Sequence, residues 1–457
     1  MKKYLSSYWI RSAVFMLLQR FSITVFALAN FVILIRHLQK PEMGVWALFL
    51  VVTTLFETAK SNLLKNAHIK FVGSSSEEKT AVASSSLLLN ASLNFLFILF
   101  LFLFSGELSH LLGAGIELEK MLKWFIPGMI FMIFFSHFEA VSQSHLDFKS
   151  PFAGNFSRQM IFFLMISIQA ILRIPFSLIQ IVMYQSISIG FGALVIYFFS
   201  RKHLLYVFNP SVKWIKELLG FGGYIFGIAI TSNLFANLDQ LMIGKFTSRL
   251  GTNYSQSMVA NYNAATRVST WVDVPSYSAA EILLPKVSQV DISKGYHQVT
   301  YMYERMVAVL LSFTVPIALF IFFFPKWVIS VIAGAQYADA AFILQMYMLS
   351  ALVKPIQNQA ANIFLYIGKA RLCFFLNLLF LGINSGLNYL CFLKFGPYGA
   401  AIGNVIGCVL GTLVWYSILQ RSIEVRYINI GRYIVDTYKM VYSKVLLIKN
   451  LRSAKIM

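Results

Sequence analysis

Charge is scarce in this chain: Asp, Glu, Lys and Arg make up 12% of its 457 residues, about half of what a soluble globular protein carries. Such a surface cannot keep a chain of this length in water, which excludes a soluble enzyme or binding domain. Acid is the scarcer sign, with 18 Asp and Glu against 38 Lys and Arg, for a net charge of +20. That excess does not point to nucleic acid. The basic residues are scattered between hydrophobic blocks, with no interleaving of arginine and aromatics on a polar surface. Cysteine is nearly absent. Cys373, Cys391 and Cys408 lie in apolar segments without a CxxC pair, which rules out a disulfide framework and leaves them as small packing residues. There is no P-loop, no HExxH and no GxSxG, so nothing points to ATP use, to zinc hydrolysis or to a serine nucleophile. We expect no catalytic residues, no metal and no cofactor, and hence no enzyme.

What the chain has instead is apolar length. Hydrophobic residues make up 58%, the mean hydropathy is +0.70, and the apolar residues come in blocks such as 87–104 rather than in amphipathic stripes. A bilayer solvates such blocks directly. We predict an all-α, polytopic membrane protein of about twelve transmembrane helices. The expected spans are 12–35, 43–63, 83–104, 122–141, 154–172 and 176–199, then 219–239, 259–284, 304–324, 339–366, 371–393 and 398–419. Met1-Lys2-Lys3 precedes a first apolar block too long for a cleaved signal, so that block is expected to stay as the first helix. About 26 of the Lys and Arg fall in or at the edges of alternate connections and about 9 in the others, which predicts N-in, C-in orientation.

The polar stretch 201–217 divides the chain into an N-terminal six-helix lobe (1–200) and a C-terminal one (218–420), followed by a basic tail (421–457). The segments Glu42-Met43-Gly44-Val45-Trp46-Ala47 and Val259-Ala260-Asn261-Tyr262-Asn263-Ala264 open helices 2 and 8 in equivalent places, as an internal repeat would. Six-plus-six halves are a common transporter plan. In the tail, Tyr433, Val435, Met440 and Val441 mingle with Lys439, Lys444 and Lys449. That mixture fits an amphipathic helix on an anionic leaflet, or a disordered basic tail.

The residues that carry information are charges inside the membrane, because each is costly unless paired or wet. Arg20 lies about eight residues into helix 1, roughly 12 Å from its inner end. Glu57 lies about six residues, roughly 9 Å, from the inner end of helix 2, a depth at which the two could pair. Asp239 and Arg267 near the outer ends of helices 7 and 8 offer a second pair. Asp273 falls on another face of helix 8 from Arg267. Lys354 directly precedes Pro355, where a lost helical hydrogen bond makes a hinge possible. Arg20, Arg267 and Lys354 are candidates to receive an anionic cargo, since arginine grips phosphate with paired hydrogen bonds. Tyr262, Trp271 and Tyr277 near Arg267 offer rings for stacking on sugars, or for packing. Glu57, Asp239 and Asp273 are candidates for charge pairing or for carrying a coupling proton or sodium ion. His137, Glu139, His145 and Asp147 read as solvated polarity where helix 4 leaves the membrane, without the spacing of a helical zinc site. Gly403, Gly407 and Gly411 recur every four residues and predict close approach of another helix.

Several local patterns together resemble a known family. Leu38 to Trp46 (LQKPEMGVW) resembles the first outer turn of polysaccharide flippases. Asn237 to Lys245 (NLDQLMIGK) is similar to the family's end of helix 7. Asn261 to Arg267 (NYNAATR) and Leu284-Pro285 resemble the two ends of its helix 8. Gly368 to Arg371 (GKAR) and Phe395 to Ala401 (FGPYGAA) are similar to the turns before helices 11 and 12. The family is the polysaccharide transport branch of the multidrug/oligosaccharidyl-lipid/polysaccharide superfamily, which includes O-antigen flippases. The resemblance implies two six-helix bundles working by alternating access in the bacterial inner membrane. It implies a cargo of polyprenyl-diphosphate-linked oligosaccharide, for surface polysaccharide such as O-antigen, capsule or exopolysaccharide. Partners would be that lipid-linked oligosaccharide, membrane lipids, a coupling proton or sodium ion, and other polysaccharide-assembly proteins, with no nucleic acid. Two other readings remain open: a cation-coupled multidrug antiporter of the same superfamily, and a polysaccharide polymerase or ligase.

Overall fold

In the computed structural model the described residues are 2–74, 78–204, 208–287 and 296–453. Among them there is no strand, and fifteen α-helices follow one another. They are α1 (Lys2–His37), α2 (Lys40–Ser74), α3 (Lys79–Leu111), α4 (Gly115–Trp124), α5 (Ile126–Ser144), α6 (Lys149–Ile171), α7 (Leu178–Ser200), α8 (Val212–Thr247), α9 (Thr252–Val287), α10 (His297–Phe323), α11 (Pro325–Ile332), α12 (Ala340–Tyr366), α13 (Ala370–Phe395), α14 (Gly399–Ile423) and α15 (Tyr427–Ser453). Leaving aside the short α4 and α11 and the tail helix α15, twelve long helices remain among the described residues, one for each expected span. Their ends differ from the expectation by a few residues in most cases and by up to about ten at the start of α1 and the end of α2. The exception is 122–141, where the chain breaks at Phe125 and α4 meets α5 at 45°, with Pro127 in the first turn of α5.

By length and apolarity alone, seven stretches pass as membrane spans among the described residues, or eight with the bent α4–α5 pair. Helices α6 and α9 are long but fall outside that count, and they carry Arg158, Arg267 and Asp273. A helix too polar for lipid has to turn that polarity inward. Helix α3 shows the rule in its plainest form. Its buried residues include Ser84, Ser85, Ser86, Asn90, Asn94, Ser105 and Ser109, while Phe95, Leu96, Phe102 and Leu103 are exposed. Water would drive the opposite arrangement. A bilayer takes the apolar face, and small polar residues let neighbouring helices close on the other. The chain is therefore a multi-pass membrane protein. At 1.5 Å per residue, the 36 residues of α8 make a helix of about 54 Å, longer than a hydrocarbon core of about 30 Å.

The chain forms two compact units, residues 1–260 and 261–457, with the division inside α9. In the first unit α2 packs against α8, α5 and α3, while α6 packs on α7 and α1. Gly44 lets α2 approach the start of α9: a Cβ there would overlap the backbone carbonyl of Gln256. Gln256 is held in turn by donating from Nε2 to the carbonyl of Ala114 at 2.9 Å. Between α6 and α7, Gln169 donates to the carbonyl of Pro175 at 2.9 Å. Pro175 keeps Ile174 out of the helical region, which makes two helices of what could have been one.

In the second unit α10 packs on α12, α12 on α14, and α14 on α13. The glycine stripe of α14 does what its spacing predicts. Gly403 and Gly407 lie against Asn388 and Asn384 of α13, and Gly411 against Gln357 of α12. Helix α12 runs unbroken through Pro355. The tail is helical over Tyr427–Ser453 and packs along α10. Glu304 of α10, 3% exposed, accepts from the Arg426 N–H at 2.7 Å and from Asn429 Nδ2 at 3.0 Å. Further along, Tyr438 donates to the Ser312 carbonyl at 2.7 Å. A carboxylate at the start of α15 suits the positive end of the helix dipole.

Candidate functional site

Each unit holds a cluster of charged groups on its membrane helices. In the first unit Glu57, halfway along α2, pairs with Lys60 at 3.2 Å, one turn on in the same helix. Lys60 is 2% exposed and reaches over the ring of Phe56, which stacks on Phe97 of α3 at 3.8 Å. One turn further, Lys65 pairs with Glu139 of α5 at 3.1 Å, and Asn155 of α6 donates to the same carboxylate at 3.4 Å. Arg158, also on α6, lies over the ring of Phe135 at 5.3 Å and within electrostatic range of both Glu57 and Glu139. Two acids thus face three basic groups. The acid that the sequence offered to Arg20 is held by Lys60. Arg20 lies on an exposed part of α1 and has interactions of its own.

This cluster corrects one reading. Glu139 and His137 are not loop polarity at a membrane exit: both lie in α5, His137 buried and Glu139 ion-paired. Among the described residues no group of three or more His, Cys, Asp or Glu is arranged to hold a metal ion. Lys60 and Arg158 were missed because they sit near the inner ends of expected spans, where a count of flanking charge absorbs them. Both nevertheless fall inside 43–63 and 154–172, so the signal was present in the spans themselves.

In the second unit Lys354 of α12 reaches Asp273 of α9 at 3.3 Å. The Asp273 side chain is 5% exposed and that of Lys354 24%. Only one carboxylate oxygen is engaged; Asp273 Oδ1 is buried without a hydrogen-bond partner among the described residues. One turn along α9, the Ser276 carbonyl accepts from Gln359 Nε2 at 2.9 Å, so α9 and α12 are joined at two levels. Arg267, nearly two turns before Asp273, has no ion pair among the described residues.

The aromatics divide. Tyr262 is fully buried; its hydroxyl donates to the Pro397 carbonyl at 2.6 Å and accepts from the Ala401 N–H at 3.1 Å. Its ring and hydroxyl therefore hold α9 to the turn before α14. Trp271 remains half-buried on α9. The side chains of Tyr277, Leu284 and Pro285 lie outside the described residues. Asp239 is 3% exposed, beside a buried Gln240 on α8. The acids and bases named from the sequence are therefore brought together in one instance, Lys354 with Asp273.

Residues 33–342 match the family described as polysaccharide biosynthesis protein. A probable low-salt glycan biosynthesis flippase of Haloferax volcanii is 21% identical over 225 residues, which are 49% of this chain and 46% of that protein. The chain spans less than half the length of the curated relatives it matches. Among solved structures, the lipid II flippase MurJ in an inward closed conformation superposes with a TM-score of 0.76 at 16% identity, covering 95% of this chain and 93% of that one. A multidrug resistance MATE family transporter of the MOP superfamily, inward-facing, gives 0.73 at 16% identity, over 87% and 96%. At these identities the likeness establishes a shared fold, that of MOP-superfamily transporters with twelve to fourteen membrane helices.

Proposed function

We propose, for a chain that belongs to the polysaccharide biosynthesis protein family, the work of a flippase that moves polyprenyl-diphosphate-linked oligosaccharide across the cytoplasmic membrane. Sugars and a diphosphate cannot cross hydrocarbon unaided, because each buried polar group without a partner costs several kcal/mol, about 2–7 for a neutral one and more for a charge. A protein that carries them has to offer charge of the opposite sign inside the membrane. The observation that carries the reading is Arg267, a cation on a membrane helix with no ion pair among the described residues. Glu57 and Glu139 face Lys60, Lys65 and Arg158, and Asp273 faces Lys354, with Arg267 left over among the described residues. Arg267 is the residue we assign to the diphosphate, and Trp271 beside it offers a ring to a sugar. Alternating exposure of these groups to the two faces, N-in and C-in, would complete the cycle.

The antiporter reading needs acids free to take cations. Glu57, Glu139 and Asp273 each already hold a lysine, which argues against it. A polymerase or ligase would need a large loop with basic catalytic residues outside the membrane, and the segment 105–121 is short and taken up by the end of α3 and by α4.

The deciding experiment is the leaflet distribution of lipid-linked glycans in cells depleted of this protein, probed with an impermeant glycosidase on spheroplasts and on inverted vesicles. Accumulation on the cytoplasmic face, reversed by restoring the gene, is the expected result. Complete units exposed outside but unpolymerised would favour the polymerase, and no change in either leaflet would favour the antiporter.

A further inference from the structure

Where α9 meets α12 in the second unit, several buried oxygens have nothing to accept from. Asp273 and Ser276 are both buried and stand three residues apart, so they share a face of α9. Asp273 Oδ1 and Ser276 Oγ have no hydrogen-bond partner among the described residues. Gln359 of α12 comes to the same place. Its Nε2 donates to the Ser276 carbonyl at 2.9 Å, and its Oε1 is left buried and unpartnered. Other buried serines behave differently: Ser142 and Ser312 each give their proton to the carbonyl four residues back, at 2.8 Å.

Leaving one buried acceptor unmet costs about 1–3 kcal/mol. What meets these has to bring positive charge or protons, because carboxylate and amide oxygens only accept. The Gln359 amide is fixed in that sense, since its N–H group is already spent on the Ser276 carbonyl. Ser276 could give its own proton to Asp273, and does not. A water molecule has two protons for three acceptors. A bare cation takes all three at once, and hard cations choose oxygen ligands. The site holds one carboxylate, already shared with Lys354 at 3.3 Å, which is too little negative charge for a divalent ion. It holds no imidazole or thiol of the kind that transition metals select.

We propose that Asp273 Oδ1, Ser276 Oγ and Gln359 Oε1 bind a monovalent alkali cation of the sodium class, in competition with the Lys354 ammonium for the Asp273 carboxylate. Three oxygens within about one turn of α9 fit a bare ion and not an organic cation. Binding weakens the ion pair between α9 and α12 and releases Lys354 toward an anion. That release serves transport only under the flippase reading; the binding itself does not depend on it.

The test uses the full chain in nanodiscs of phosphatidylcholine at fixed ionic strength. Choline chloride is replaced stepwise by sodium chloride, and in a second arm by potassium chloride, while the thermal midpoint is followed. We expect a saturable rise of the midpoint with sodium. Ser276→Ala removes one ligand and should weaken the apparent affinity about tenfold; Asp273→Asn should abolish the rise. Lys354→Met should bind sodium about tenfold more tightly, because a like charge beside the site has gone. A pair that only clamps two helices gives no such gain. The midpoint in choline alone checks that each variant folds. Saturation by potassium as well supports the site as one that does not select among alkali cations. Equal midpoints in sodium and choline would overturn the assignment, as would an undiminished rise in folded Ser276→Ala and Asp273→Asn. Glycan movement enters none of these readouts, so failure of the flippase reading leaves them unchanged.

Discussion

Lys354 and Asp273 give the sharpest test of what the buried charges are for. At 3.3 Å and an effective dielectric of about 20, their attraction is roughly 5 kcal/mol. Lys354 keeps a quarter of its side chain exposed, so water screens part of this, and stranding Asp273 by Lys354→Met should cost about 3 kcal/mol. Asp273→Asn strands the ammonium instead, and costs less because lysine can reach toward water. The double variant removes both charges and should recover most of the loss, giving a coupling of about 2 kcal/mol across the cycle. Thermal unfolding of the four proteins in detergent reads the cycle, and the glycan leaflet assay is run on the same set. Under the flippase reading the double variant is folded but slow, because the cation has gone with its partner. If Lys354→Met is as stable as the parent chain, the ion pair contributes nothing and the reasoning fails. If the double variant is both stable and fully active, the pair is a helix clamp and Lys354 has no part in transport.

Arg267 is a cleaner probe, since its removal strands no partner seen among the described residues: Arg267→Ala should abolish glycan flipping at unchanged thermal midpoint, and Arg267→Lys should restore only part of it, because lysine lacks the paired donors. A lowered midpoint in Arg267→Ala would mark the residue as structural. Gly44→Ala should destabilise the first unit by about 1–3 kcal/mol, as the added methyl meets the Gln256 backbone carbonyl and neither helix can yield cheaply; the thermal midpoint reads this, and an unchanged value would show that α2 and α9 separate without cost. Glu304→Ala leaves the Arg426 N–H and the Asn429 amide without their acceptor, a loss of about 2–4 kcal/mol for two bonds to a charged group; proteolysis and amide exchange should then rise across 427–453, whereas an unaltered tail would mean that Tyr438 and the apolar contacts suffice.

The helices were legible because apolar length is written locally. A block such as 87–104 states its own solvent, and each expected span falls mainly on one helix. The polar ends were not legible: α2 continues to Ser74 and α8 starts at Val212, where hydropathy has already fallen but nothing breaks the helix. The stripe of Gly403, Gly407 and Gly411 could be read as packing, though which helices it meets could not. Pairing was the hardest part. Lys354 and Asp273 are 81 residues apart, and their meeting depends on how α9 and α12 pack. Tyr262 shows the same limit: its sequence position next to Arg267 suggested a sugar platform, and only the turn at Pro397 reveals that its hydroxyl is already engaged.

The lysine partners bear on which ions could drive transport. A proton arriving at Glu57, Glu139 or Asp273 does not neutralise a lone acid; it frees the ammonium that the acid was holding. Protonation therefore raises the net positive charge of the cluster by one and leaves a cation without its partner inside the membrane, where an unpaired charge is least tolerated. For a cationic drug that step expels the cargo, as exchange of a proton for a drug requires, so it does not by itself separate the two readings. For a diphosphate it favours loading, since the freed ammonium gains a partner from the cargo. A sodium ion would act in the same direction by displacing the lysine. Under the proposed reading, a single device thus serves for resting stability and for loading: the acid keeps the cation quiet until the anion comes. The Lys354→Met, Asp273→Asn double variant carries the test of this too, because it removes the device whole, and undiminished flipping in it would leave the pairing with no role beyond holding α9 against α12.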